Sequence, residues 1–382
     1  FLLSALDVNA PTHQLRGNAL LTLTASLAGD EGKGQLHATL DDLAIRVLGK
    51  KGEVPLDKPR GHSANVLISL THNGKEGKVE RADVNLGQSN VQVRGTVLRL
   101  ASPDSQVDLQ IGPLHLAFDD LRAVSELAHQ LPAGGTLDAR GTIKGNPRKP
   151  QTLVMRADPL ELRLGTSHLD GTLSLTDTQD PVIRLDLDDV DIRGADVQRL
   201  FRTLDVPQQW RAPLRAIPVG GRAQAQVGIA GKPRHPESVS CRVTNLKAHV
   251  GKSHVSGSAV VTSLARPFAQ VRLETLDVEL ADLQAWKPPA WLPRTGRVEG
   301  ALSGQMLLAD QESLRLDVER LAVAACGSEV LIKGTLHGVK APELALVVRG
   351  TQLNLQRVMD LSLIHISEPT RLRRISYAVF CL

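Results

Sequence analysis

The amino-acid sequence predicts a mostly β protein: an elongated repeat array of antiparallel β-meander modules forming a curved, groove-like sheet, with a few short helices. Three observations carry this. Apolar and polar residues alternate with a period of two, the period at which successive strand side chains point to opposite faces. Residues 134–200 laid over 220–286 align without a gap, with about 20 identities in about 67 positions, the self-similarity of a repeat architecture. Aromatic residues make up only 2% of the 382, against 32 Gly and 21 Pro, so any core is built from Leu, Val, Ala and Ile between many turns.

The elements follow in order. Residues 1–60 are expected to hold a partial or divergent β module. Residues 61–133 form the first clear module, with the run Leu86, Gly87, Gln88, Ser89 to Gly95 and Thr96, then Pro103, then Asp119, Asp120 and Leu121. The stretch from Asp119 to Leu131 is acidic at its start and apolar at helical spacing, which predicts a helix. The module at 134–219 carries the alternating Leu160, Leu162 and Leu164, then Leu173 and Leu175, then Leu185 and Leu187. After Asp188 and Asp189 the apolar phase slips to Val190 and Ile192, which predicts a bulge or bend. A second short helix is expected from about Ala195 to Leu204.

The module at 220–295 repeats the preceding one at a shift of 86. Gly145, Pro147, Arg148 and Pro150 fall on Gly231, Pro233, Arg234 and Pro236. Gly165, Ser167, His168 and Gly171 fall on Gly251, Ser253, His254 and Gly257. Pro181, Leu187, Asp191, Ala195, Asp196 and Gln198 fall on Pro267, Leu273, Asp277, Ala281, Asp282 and Gln284. The Gly- and Pro-rich stretches mark turns, since Gly permits positive φ and Pro holds φ near −65°. Val239, Cys241 and Val243 alternate as strand residues, and a brief helical segment from Ala281 to Trp286 stops at Pro288 and Pro289. A last module at 296–360 shows Gly327, Ser328, Gly334 and Thr335, then Pro342, and is expected to have a truncated end.

Residues 361–382 differ in kind. The stretch from Leu361 to Arg371 resembles the translation of a transposase adapter used in sequencing libraries, with read-through after it, and is expected to be a non-native tail. It holds the only Tyr, Tyr377, with Cys381 and the cluster Arg371, Arg373 and Arg374. The chain starts at Phe1, so an internal fragment of a longer protein is expected. Removing the tail's three Arg and one Glu from 45 basic and 41 acidic residues leaves a net charge of +2. Both signs are interleaved, which excludes the clustered basic footprint of a nucleic-acid binder. No run reaches the roughly 18–20 apolar residues of a membrane-spanning helix. Cys241 and Cys326 are far apart in strand-like surroundings and are expected to be unpaired small hydrophobes.

Sites for chemistry are not expected. Gly165, Thr166, Ser167 and His168 invite comparison with a nucleophile elbow. The second Gly comes two residues late at Gly171, strand signals follow, and the Ser recurs at Ser89 and Ser253, so it reads as a turn serine. His168 and His254 have no second His or Cys at ligand spacing, and no metal site is assigned. Asp186, Asp188, Asp189 and Asp191 alternate with Leu and Val without the spacing of a calcium loop, and are expected on a solvated polar face. No phosphate loop or dinucleotide fingerprint is present. No catalytic residue and no cofactor are expected, and an enzyme is disfavoured.

Period-two strands carry one apolar face, and each buried Val or Leu is worth roughly 1.5–3 kcal/mol. The predicted helices are too few and too short to cover four modules. A sandwich, a closed barrel or solenoid, or a curved sheet with a ligand-holding trough would each resolve this. A lining of Leu, Val and Ala suits acyl chains, at about 0.8 kcal/mol per CH₂, and offers a polar substrate no directional contact. The expected lining is Leu160, Leu162, Leu164, Leu185 and Leu187, with Leu246, Ala248, Val250, Val271 and Leu273 as counterparts.

Modules built as a Gly-rich meander, a Gly-x-Ser turn, a later Gly-Thr or Gly-Ser, a Pro, an apolar strand and a short Leu/Asp-rich end resemble the AsmA and TamB superfamily of bacterial envelope proteins. Its eukaryotic analogues are the bridge-like lipid-transfer proteins. The resemblance covers most of residues 60–360. It implies a non-catalytic β-groove protein of the periplasm, anchored to the inner membrane in the full-length parent. Phospholipids would slide along it toward the outer membrane. At about 4.8 Å per strand, about 20 strands would give about 100 Å of path. The implied partners are phospholipids or other acyl lipids, bacterial membranes through parts missing from this fragment, and envelope proteins, with no nucleic acid. Two other readings compete: a structural or adhesive β-sandwich array, and a scaffold for outer-membrane protein assembly working through an open sheet edge.

Overall fold

A computed structural model describes residues 13–17, 19–28, 31–41, 43–47, 56–58, 63–73, 76–99, 102–124, 129, 131–203, 217–286, 293–339 and 342–352. The expected tail at 361–382, Leu131's neighbours at 125–128 and 130, Leu204, Pro288 and Pro289 lie outside these residues.

The chain opens with β1 (His13–Gly17), β2 (Leu20–Ala28), β3 (Glu31–Thr39), β4 (Leu43–Val47) and β5 (Leu56–Lys58). The span 61–133 holds β6 (Ala64–Asn73), β7 (Glu76–Leu86), β8 (Ser89–Leu98), β9 (Gln106–Ala117) and helix α1 (Phe118–Val124). The span 134–219 holds β10 (Thr136–Gly145), β11 (Val154–Leu164), β12 (Ser167–Thr176), β13 (Val182–Arg193) and helix α2 (Gly194–Thr203). The span 220–295 holds β14 (Arg222–Lys232), β15 (His235–Val250), β16 (Ser253–Thr262), β17 (Phe268–Glu279) and a 3-10 turn (Asp282–Trp286). The last span holds β18 (Gly296–Leu307), β19 (Asp310–Ala325), β20 (Ser328–His337) and β21 (Glu343–Gln352). Four strands and a short helical segment are thus the repeating unit, and the protein is mostly β with few short helices.

The chain divides into two compact units, Phe1–Asp188 with Gln198–Gln208, and Asp189–Val197 with Gln209–Leu382. In the first, β2, β3, β6, β7, β8, β9, β10, β11 and β12 pair in that order, every pair antiparallel. Strands β1, β4 and β5 form a small sheet of their own, so residues 1–60 hold more than a loose copy of a module. In the second unit β14 to β21 pair in chain order, again antiparallel throughout. Among the described residues β2 and β21 each leave one edge unpaired, so the meander is open and not closed into a barrel.

Bulges of the kind foreseen after Asp188 are present on other strands. Between Ala157 and Leu160 strand β11 advances three residues while β12 advances two, from Leu173 to Gly171. Val79 to Ala82 on β7, Val243 to Leu246 on β15, Leu273 to Leu276 on β17 and Val318 to Leu321 on β19 do the same. The extra residue restores the apolar phase beyond the bulge, so one face stays apolar along the whole strand. Opposite these bulges the strands come too close for a side chain. A Cβ on Gly141 would lie 2.1 Å from the Arg156 carbonyl oxygen, and one on Gly257 would lie 2.1 Å from that of Arg272.

Two expectations need correction. Cys326 is in the hairpin turn between β19 and β20 with φ of 54°, not in a strand; an adjoining Gly327 lets that tight turn form. It and Cys241 are both free thiols, and burial pushes the Cys241 thiol up from its ordinary pKa. Asp191 is not solvated. It is 3% exposed, and the Arg222 guanidinium forks onto it, with Nε 2.9 Å from Oδ1. Asp188 and Asp189 are exposed as expected.

Candidate functional site

Residues directly opposite each other on paired strands share a face, so the register defines what that face carries. In the first unit one row crosses nine strands as Leu23, Leu36, Ile68, Ala82, Val93, Ile111, Gly141, Ala157 and Leu173. The next runs Leu21, Ala38, Val66, Val84, Val91, Leu114, Ala139, Leu160 and Gly171. In the second unit rows cross eight strands, one as Ala223, Ala248, Val255, Leu276, Gly300, Leu321, Ile332 and Val348. Another is Val227, Val243, Ala259, Val271, Gly304, Leu316, Leu336 and Leu344. No polar side chain interrupts any of the four rows.

The expected lining residues sit on this face. Leu160 is in the second row, and Leu162 faces Leu137 and Leu169. Leu164 faces Ser167 and Val250 faces Ser253, both at the hairpin end of their strands. Leu246 and Leu273 flank Gly257, while Ala248 and Val271 stand in the two rows of the second unit. On β13, Leu187 lies against Gly171 and is buried, and Leu185 is half-buried. The ten residues are a small sample. The contributions of β2, β3, β6 to β9 and β18 to β21 carry the same alternation and were legible by the same rule.

The exposures along this face, among the described residues, leave most of it without a second layer. Among the described residues the buried apolar side chains are few, and several are alanines or cluster by the helical segments, as do Phe118, Val124 and Leu280. Most face residues stay half-exposed, and at the open edges Leu23 is 67% and Val348 48% exposed. A shallow hollow of about 190 Å³ on the first unit's apolar face is lined by Ile111, Leu114, Ala139, Ile143, Met155, Ala157, Leu173 and Leu175. A larger hollow in the second unit, of about 500 Å³, is lined both by Ala259, Val271 and Leu316 of the apolar row and by polar residues, among them Gln270, Arg272 and Arg315.

The repeated Gly-x-Ser turn has a structural explanation. Ser89 opens β8 and is buried. Asp120 on α1 accepts the Ser89 hydroxyl and the N–H groups of Gln88 and Ser89, each at 2.8 Å on Oδ2. Ser89 Oγ in turn accepts the Ala117 N–H at 2.9 Å. In the second unit Asp282 accepts from Ser253 Oγ at 2.7 Å and from the Lys252 and Ser253 N–H groups. Ser253 Oγ accepts the Glu279 N–H at 3.0 Å. Gly87 and Gly251, with φ of 58° and 60°, leave room for that carboxylate, since a Cβ on either would fall 2.1 or 2.2 Å from its Oδ1. The Ser253 hydroxyl, aided by the two N–H groups and Lys252, holds the Asp282 carboxyl below its ordinary range against the opposing effect of burial. With its hydroxyl on a carboxylate that also holds two backbone N–H groups, and its Oγ accepting a further N–H, each serine ties its hairpin to the helical segment as a latch. The sequence signal was the joint recurrence of Ser89 with Asp120 and of Ser253 with Asp282.

Comparison with protein-family models, with curated proteins and with solved structures finds no match to this chain.

Proposed function

We propose that the protein is a non-catalytic lipid-conducting element of a bacterial envelope, of the AsmA and TamB type, and that acyl chains move along the apolar face of its sheet. The observation that carries this reading is the set of cross-strand rows free of any polar side chain, over nine strands in one unit and eight in the other. Each CH₂ laid on such a face leaves water with a gain of about 0.8 kcal/mol. Because no hydrogen-bonding side chain interrupts the rows, a chain shifted by one strand meets the same surface, so motion along the face has no deep trap. The headgroup stays in water, where the face gives it no partner to leave behind. Localisation to the periplasm with an inner-membrane anchor in the parent protein belongs to the same proposal.

The competing sandwich array calls for dry, self-filled cores, and the scarcity of buried apolar side chains speaks against it. The scaffold reading has one observation in its favour: β2 is exposed along its length, and an unpaired apolar edge is a template for another strand. The deciding experiment is mass spectrometry of lipids carried by the protein after detergent-free purification from a periplasmic expression host. At least one phospholipid per chain is expected. A folded, monodisperse and lipid-free protein would overturn lipid conduction.

A further inference from the structure

We propose that His249 and His254 form a binding site for a divalent transition-metal ion, zinc or copper, on the polar face of the second unit. The two histidines stand directly opposite each other on β15 and β16. Their rings meet edge to face, with centroids 4.6 Å apart and planes at 80°, and the two Nδ1 atoms converge to 2.5 Å. One ring donates its Nδ1–H to the other, so the pair already turns two nitrogen atoms toward one point.

A zinc–imidazole bond is about 2.0–2.1 Å long, so a tetrahedral ion holds two ligand nitrogens about 3.3 Å apart by that geometry. Opening the pair by less than about 1 Å requires only rotation of two exposed side chains. Both rings would bind as neutral imidazoles. The proton now on one Nδ1 moves to the Nε2 of the same ring, and each Nδ1 lone pair goes to the metal. Imidazole nitrogen suits zinc and copper, whereas calcium and magnesium prefer oxygen.

The neighbours allow the extra charge. Arg222, directly opposite His249 on β14, has its guanidinium drawn onto Asp191. On the other side Asp277 faces His254 from β17, and Arg297 forks onto its two oxygens at 2.8 and 2.9 Å. Asp277 is held by Arg297 and supplies no ligand, so water completes the coordination.

The pairing is absent from the preceding module. There the position equivalent to His249 is Arg163, directly opposite His168. The strand pair therefore folds with arginine in that place, and the histidine answers no demand of the repeat.

The test uses the full chain, zinc titrated by calorimetry and copper followed by electron paramagnetic resonance. The wild type should take up one ion at its tightest site with a two-nitrogen copper signature. His254→Ala and His249→Arg should each weaken that site at least tenfold and abolish the signature. The arginine variant imports the preceding module's residue and so should keep the wild-type circular dichroism. His72→Ala, in the other unit, should change neither readout. Uptake by His249→Arg at wild-type affinity, or no two-nitrogen site in the wild type, would overturn the assignment.

Discussion

Asp282 and Ser253 show how a single carboxylate can hold a repeat module's hairpin to its helical end. The hydroxyl and two backbone N–H groups converge on one oxygen, and together they depress the Asp282 pKa. A carboxyl whose folded pKa lies below its unfolded value, about 3.9 for Asp, stabilises the fold at pH values above the unfolded pKa. That contribution is lost as pH falls through the depressed folded value. The Tm advantage of wild type over Asp282→Asn should therefore be full at pH 7 and close progressively below about pH 4, by the same reference value. A thermal-denaturation series from pH 7 to pH 2 checks this, and a gap that stays constant would mean that the carboxylate's charge contributes nothing. The same residue scale separates roles that look alike in sequence. Asp188 and Asp189 are solvated, whereas Asp191, two residues on, is a buried partner of Arg222. Alternation alone predicts that Asp189 and Asp191 share a face; only the arrival of Arg222 from β14 distinguishes them.

At the scale of the element, the strands remain apolar on one face because each bulge repairs the phase that a longer strand would lose. Glycine stands opposite the bulge because the neighbouring carbonyl occupies the space of a side chain. At Gly257 that neighbour is the Arg272 backbone, which cannot swing aside as a flexible side chain can. Gly257→Val should therefore destabilise the protein by about 1–3 kcal/mol, the range for overpacking, with β16 and β17 losing amide protection first. Urea denaturation with hydrogen exchange measures both, and an unchanged midpoint would show that the strands can separate at the bulge without cost. The sequence marked Gly171 and Gly257 as part of the repeated turn motif, but they lie within strands. Gly at a bulge and Gly in a turn are indistinguishable by composition, since both positions exclude a Cβ.

At the scale of the whole molecule, the meander of each unit leaves an apolar face with little over it among the described residues, where a globular domain would bury such a face against another layer. The rows join consecutive modules within each unit: β9 pairs with β10 and β17 with β18. The lipid reading turns on this face and not on any pocket, so charge placed on it should block passage without unfolding the sheet. Leu173→Asp combined with Leu273→Asp, one half-exposed position in each unit, should abolish support of outer-membrane integrity by the protein in cells. Its β-sheet circular dichroism should stay intact. If the doubly charged variant still supports that integrity, the face is not the path.

What the sequence alone determined is the class of structure. Period-two alternation, the 86-residue shift and the turn chemistry of Gly and Pro are local, and local signals survive translation into strands whatever the tertiary context. They sufficed for mostly β modules, for the short helices at α1 and α2, and for the apolar positions on β11, β13, β15 and β17. Tertiary structure decided what those strands meet. The partner of Ser89 is 31 residues away at Asp120, and that of Asp191 is 31 residues away at Arg222. The convergence of His249 with His254 depends on the register of β15 against β16, which a slip of one residue would send to opposite faces. Register and contact across strands are set by the mutual packing of many residues, a property that no single stretch of sequence carries.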